Sequence, residues 1–181
     1  NYQNCLPYFQ RAESWMHGGD VYRGGDGPVG TSNGNNRKNP LYQAFIDAGE
    51  QAGYGVTEDY NGFRQEGFGP MHMTVKGGIR SSTRRSYLEP VRHRSNLTVI
   101  TGAEVDRIEL EQGVAKRVIY KKAGAIRVAS TRREVVLSAG SIGSPSILQR
   151  SGIGPAKVLS DAGVDLIHEL PGVGENLTDH L

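Results

Sequence analysis

The sharpest junction in the sequence is Val135-Val136-Leu137 running into Ala139-Gly140-Ser141-Ile142-Gly143, an apolar run that ends in small residues and continues as a helix. Small residues there let the backbone approach a ligand closely, and the helix N-terminus behind them favours a phosphate or another anion. A dinucleotide fits that chemistry. So does close packing of strand on helix, and the motif by itself leaves both open. The same residues admit a rival, because Ala-x-Ser-x-Gly around Ser141 is one residue away from the nucleophile elbow of α/β-hydrolases, with Asp165 and His168 downstream as acid and base. Their spacing opposes it: residues three apart on one strand point to opposite faces and do not relay to each other.

Other local patterns carry less. Gly172-Val173-Gly174 opens a Gly-x-Gly-x-x-Gly pattern, but Leu177 stands at the third glycine and the acidic partner about 20 residues on is absent, so a nicotinamide site fails. No Gly-x-x-x-x-Gly-Lys supplies a triphosphate loop. The five histidines form no His-x-x-x-His pair, which speaks against a metal. Arg80, Arg84, Arg85, Arg92 and Arg94 lack interleaved aromatics, so they read as a solvated helix face and not as a nucleic-acid site. Asp20 and Asp26 lack the spacing of a calcium loop, and the acceptor patterns at Asn96 and Asn176 arise often by chance.

The elements that must position these residues follow from periodicity. Leu6, Phe9, Ala12 and Trp15 predict a helix over 4–15, followed by a loop over 16–39. Asn39-Pro40 predicts a capped helix with Leu41, Ala44, Phe45 and Ala48 on one face and Gly53 at its exit. A strand at 69–75 and a helix at 82–88 come next, then a strand at 97–101. Residues 103–110, 114–121 and 126–130 predict an antiparallel meander around Gln112-Gly113. A strand at 134–138, helices at 144–150 and 155–162, and a strand at 164–168 complete a mixed α/β chain.

Composition bounds the class. With 181 residues, 36% hydrophobic and 22% charged, the chain is globular in type, and a net charge of +2 creates no field that calls for nucleic acid. No apolar run reaches the roughly 18 residues of a membrane span, the first residues show no charged-apolar-small leader pattern, and Cys5 has no second cysteine to pair with, which together read as cytoplasmic. Glycine is the anomaly: 25 residues, fifteen of them before residue 81, against a usual share of about 7%. Asn1 is no initiator and Asp179-His180-Leu181 ends without a tail, so the chain reads as a piece of a longer protein.

From Gly140 to Gly154 the string GSIGSPSILQRSGIG resembles the second signature of the glucose-methanol-choline flavin oxidoreductases. The flanking SNLTVITGAEVDRIEL and ELPGVGENLTDHL look like the segments around that signature. NPLYQAFIDAGEQAGY, DYNGFRQEGFGP and RRSYLEP look most like the choline dehydrogenase branch.

The resemblance implies an internal fragment of an FAD enzyme that oxidises a choline-like alcohol by hydride transfer to flavin, and that is inactive by itself. Part of an FAD-binding dinucleotide fold and part of an antiparallel-sheet substrate domain are implied. Residues 1–95 would be mainly substrate-domain and linking segments, and 96–181 mainly FAD-domain segments. Val105 matches a backbone contact to the adenine end of FAD, and Ala139-Gly140 the strand end beside the cofactor. Asn176, Asp179 and His180 match a turn near the flavin. The catalytic histidine and the pyrophosphate-binding glycines would belong to segments outside this sequence, and His180 is not that histidine. Unpaired strand edges left by the missing segments predict self-association, and membrane association of the parent stays open.

Overall fold

The computed structural model describes residues 1–34 and 38–180 and divides into two compact units, Asn1–Thr98 and Val99–Leu181. In the first unit, α1 (Tyr2–Ala12) is capped by Asn1, whose Oδ1 accepts from the Asn4 N–H at 3.1 Å. The helix stops three residues short of the expected end. Glu13 turns extended and opens β1 (Glu13–Trp15), which pairs in parallel with β2 (Val29–Thr31). The expected loop over 16–39 thus contains a strand; its residues 35–37 lie outside the described residues.

The glycines of that stretch have a packing reason. A Cβ at Gly24 would strike the carbonyl oxygens of Gln10 and Glu13, and one at Gly27 would strike the Ala12–Glu13 peptide, so the loop lies directly on the end of α1. Helix α2 (Pro40–Gln51) begins as expected, with Asn39 Oδ1 accepting from the Leu41 N–H at 3.0 Å. The face that carries Leu41 and Phe45 meets Phe68, whose ring lies 5.1 Å from that of Phe45. Gly49 is buried against the Phe68 ring, while Leu41 and Phe45 are 74% and 67% exposed.

No strand spans 69–75. Single bridges join Val56 to Phe68 and Ser32 to Met73, and a short hairpin, β3 (Val75–Lys76) and β4 (Ile79–Arg80), turns at Gly77-Gly78. The helix expected at 82–88 is a π-type turn over Arg84–Leu88, which runs into a 3₁₀ turn over Glu89–Val91 where Pro90 removes a donor.

The second unit is built on the meander. β5 (Ala103–Glu111), β6 (Val114–Lys122) and β7 (Ala125–Ser130) are joined by the two-residue turns Gln112-Gly113 and Ala123-Gly124. All four turn residues have positive φ, as tight antiparallel connections require. Helix α3 (Gly140–Arg150), β8 (Ile153–Gly154), α4 (Ala156–Asp161) and β9 (His168–Glu169) follow, with β8 and β9 parallel. Leu159, 1% exposed, anchors α4, and Ile108, Ile119 and Ile147 are buried around the meander and α3.

The strands expected at 97–101 and 134–138 do not form, and the one at 164–168 shrinks to β9. An apolar run becomes a strand only when a neighbour completes its ladder, and no described residue pairs with 97–101 or 134–138. No helix among the described residues is long and apolar enough to cross a membrane.

Candidate functional site

Of the predicted site residues, Ala139 and Gly140 begin α3, Val105 is tied to its other end, and Asn176, Asp179 and His180 lie in an exposed segment further on. At the N-terminal end of α3, Ala139 occupies the cap without a side-chain cap bond; its own N–H donates to Ser144 Oγ at 3.0 Å. Gly140 has φ +87 and a Cβ placed on it would meet nothing within 4 Å, so it serves the backbone conformation and leaves the approach open. Gly143 serves packing, because a Cβ there would sit 3.1 Å from that of Ala139. The first turn of α3 carries no acidic residue, which keeps its positive end unneutralised.

The other end of α3 holds β5. Compensating register shifts leave bulges between Val105 and Arg107 and again near Glu109. Arg150 uses the first: its Nε donates to the Asp106 carbonyl at 2.7 Å and its Nη2 to the Val105 carbonyl at 3.2 Å. Ser151, buried, accepts from the Ile108 N–H at 2.8 Å and donates to the Ile147 carbonyl at 2.6 Å. Val105 pairs with Tyr120, whose own backbone faces β7, so the Val105 backbone faces outward. Its carbonyl is taken by Arg150. Gln149 Nε2 donates to the Val173 carbonyl at 3.2 Å and so fixes the turn that leads to Asn176, which has φ 55. Asp179 and His180 are exposed and bond to each other, Nδ1 to Oδ1 at 2.7 Å.

Val105 and the turn before Asn176 are therefore tied to one end of α3, while Ala139 and Gly140 begin the other, about 16 Å away for 11 residues. A compact triad is not assembled. Asp165 and Ile167 lie against Gly152, and His168 pairs with Ile153, beyond the C-terminal end of α3 from Ser141. An elongated ligand suits that layout better than a single reacting centre.

A second cluster, in the first unit, has no counterpart in the sequence motifs. Arg23, 3% exposed, donates from Nε to Glu13 Oε2 at 2.9 Å, from Nη2 to Glu13 Oε1 at 2.5 Å and from Nη1 to Asp59 Oδ1 at 2.6 Å. Its guanidinium lies 3.9 Å from the Trp15 ring centre. His72 is layered between Trp15 and Tyr60, with ring centres at 4.7 and 4.5 Å, and its Nδ1 meets Asn61 Nδ2 at 3.0 Å. Glu13, Arg23, Tyr60 and His72 border a cleft of about 460 Å³ beside Leu6 and Phe9 of α1.

Burial alone would raise the Glu13 carboxyl, but hydrogen bonds from Arg23, Thr31 and the Gly24 N–H outweigh it and hold its pKa below the ordinary value. Burial works against the Arg23 charge too, and the Glu13 and Asp59 carboxylates reverse that and raise its pKa. Burial, reinforced by the Arg23 charge and opposed by Asp59, lowers His72. The partners lie 10, 36 and 49 residues from Arg23. No short motif signals the cluster; the closest sequence cue is the excess of glycine that lets the loops converge. Among the described residues no group of His, Cys, Asp and Glu is arranged to hold a metal ion.

The family model described as GMC oxidoreductase matches residues 1–181. The chain is 60% identical over its whole length to an oxygen-dependent choline dehydrogenase of Photobacterium profundum, of which it covers 32%. Two solved structures superpose with a TM-score of 0.88. A pyridoxine 4-oxidase from Mesorbium loti is 33% identical, with 94% of this chain and 34% of that one covered. An FAD-dependent oxidoreductase from Chaetomium thermophilum is 28% identical, with 98% and 33% covered. The chain thus spans about a third of the length of the curated relatives it matches.

Proposed function

The chain belongs to the GMC oxidoreductase family, and from that membership we propose that it is the central portion of an FAD-dependent dehydrogenase that oxidises a choline-like primary alcohol to an aldehyde. The observation that carries the reading is the 60% identity, along the whole chain, to a protein named oxygen-dependent choline dehydrogenase. When bound, FAD supplies the hydride acceptor that no amino-acid side chain offers.

This chain's residues fit part of such a cofactor. The Val105 N–H lies on the outer side of β5, available to a backbone contact once Arg150 has taken the carbonyl. Ala139 and Gly140 present an open backbone at the uncapped, positive end of α3. Asn176, Asp179 and His180 lie in the exposed segment that follows the turn at 171–174, and this segment would face the flavin. Residues 96–181 would accordingly contribute to the FAD domain and 1–95 to the substrate domain and its links. His180, exposed and bonded only to its neighbour Asp179, is not assigned the alcohol proton.

The test compares the full-length protein with the 181-residue chain. The full-length protein should carry a stoichiometric flavin absorbance band and reduce an electron-accepting dye when choline is added. The isolated chain should be colourless and inactive. A full-length protein without flavin would overturn the proposal, and one that holds flavin but oxidises only other alcohols would overturn the choline assignment.

A further inference from the structure

β7 is exposed along its whole length, and the register shows which of its backbone groups are free. The Thr131 N–H donates to the Lys116 carbonyl at 2.9 Å, and Ala125 pairs with Lys122 across the two-residue turn, so residues 125, 127 and 129 bond toward β6. Ile126, Val128 and Ser130 therefore direct three N–H and three C=O groups away from the sheet. The opposite edge differs. On β5, Arg150 holds the Val105 and Asp106 carbonyls and Ser151 holds the Ile108 N–H.

The surroundings of the free edge carry one sign of charge. From Val114 to Arg133 there are seven basic residues and no acidic one. Arg117 is paired, with Glu109 and Glu111. Lys116, Lys121, Lys122, Arg127, Arg132 and Arg133 are exposed and form no ion pair among the described residues. Side chains alternate along β7: Ile126 and Val128, 76% and 54% exposed, share one face, and Arg127 shares the other with Lys122.

We propose that the β7 edge receives an extended acidic segment of a partner polypeptide as a fourth strand. Its backbone would meet Ile126, Val128 and Ser130, its apolar side chains would lie beside Ile126 and Val128, and its carboxylates beside Arg127 and Lys122. A second copy of this chain suits the edge poorly, because it would set the same unpaired cations against each other. A polyanion such as nucleic acid would use the charge but neither the strand groups nor the apolar face.

The probe is a fluorescently labelled hexapeptide of alternating valine and glutamate, followed by anisotropy with the full chain. Replacing glutamate by lysine, or N-methylating alternate amides, should weaken binding by about tenfold or more. Val128→Pro removes an outward N–H and leaves the bonds to β6 in place, so it should do the same while circular dichroism stays unchanged. Arg127→Glu keeps every backbone group and should narrow the preference for the glutamate peptide over the lysine peptide. The proposal is overturned if the N-methylated peptide binds as well as the parent peptide. Heparin binding that exceeds peptide binding and ignores Val128→Pro, or a dimer of the free chain abolished by Val128→Pro, would also overturn it.

Discussion

Arg23→Met is the sharpest test of the buried cluster. The substitution keeps an apolar stem over Trp15 and removes the guanidinium, leaving the Glu13 and Asp59 carboxylates without their shared cation. Breaking a buried pair from one side costs about 3–5 kcal/mol, because the remaining charge is left desolvated. The Glu13 and Asp59 side chains are 17% and 27% exposed, so water recovers part of that loss and the lower end, about 3 kcal/mol, applies. With a urea dependence of about 2 kcal/mol per molar, the unfolding midpoint should fall by about 1.5 M. Trp15, the sole tryptophan, is 8% exposed inside the cluster and reports the transition by fluorescence. Adding Glu13→Gln removes the stranded carboxylate and should recover at least half the loss. A midpoint that moved by less than about 0.3 M in Arg23→Met would show that the ion network contributes little and that packing alone holds the loops.

The remaining predictions concern pH, packing and the α3 junction. His72 has a folded pKa below its ordinary 6.5 and Glu13 one below 4.5, so the unfolded state binds more protons in both windows. Stability should decline below about pH 6.5 and again below about pH 4.5, and His72→Phe should abolish the first decline in a series of urea titrations. Ser151→Ala strands the Ile108 N–H and should lower stability by about 1–3 kcal/mol in chemical denaturation. Gly140→Ala meets no neighbour but forces a side chain into φ +87, and should cost about 1–2 kcal/mol and reduce flavin content per full-length protein. Ser141→Ala in the full-length protein should leave alcohol oxidation within about tenfold, measured as turnover, since no covalent step uses the hydroxyl; labelling of Ser141 by a fluorophosphonate would contradict this.

What the sequence made legible was local chemistry. Asn39-Pro40 announced α2, and the meander followed from alternation around Gln112-Gly113. Elements whose partners are distant were misread. Trp15 sits at helical spacing from Phe9 and Ala12, yet parallel pairing with Thr31 draws it into β1. Val135 to Leu137 is apolar enough for a strand and remains unpaired among the described residues. Leu41 and Phe45 share the face that Gly49 opens to Phe68, yet both stay largely exposed. Ala139 and Gly140 were marked by their small size and Val105, Asn176, Asp179 and His180 only by the family resemblance, whereas the bond from Arg150 to the β5 bulge and the network around Arg23 depend on contacts across 10 to 49 residues, which periodicity does not encode.

The hold of α3 on β5 also decides how far this sheet can grow. A sheet with two open edges adds strands without end, and any self-pairing propagates head to tail into a fibre. Here Arg150 and Ser151 take three backbone groups of one edge at the bulge, so a strand added there meets an interrupted ladder that β7 does not present. Loss of Arg150 would therefore do more than loosen a helix. It would return the Val105 and Asp106 carbonyls to the outward edge, leaving the Ser151 bond to the Ile108 N–H to interrupt the ladder there.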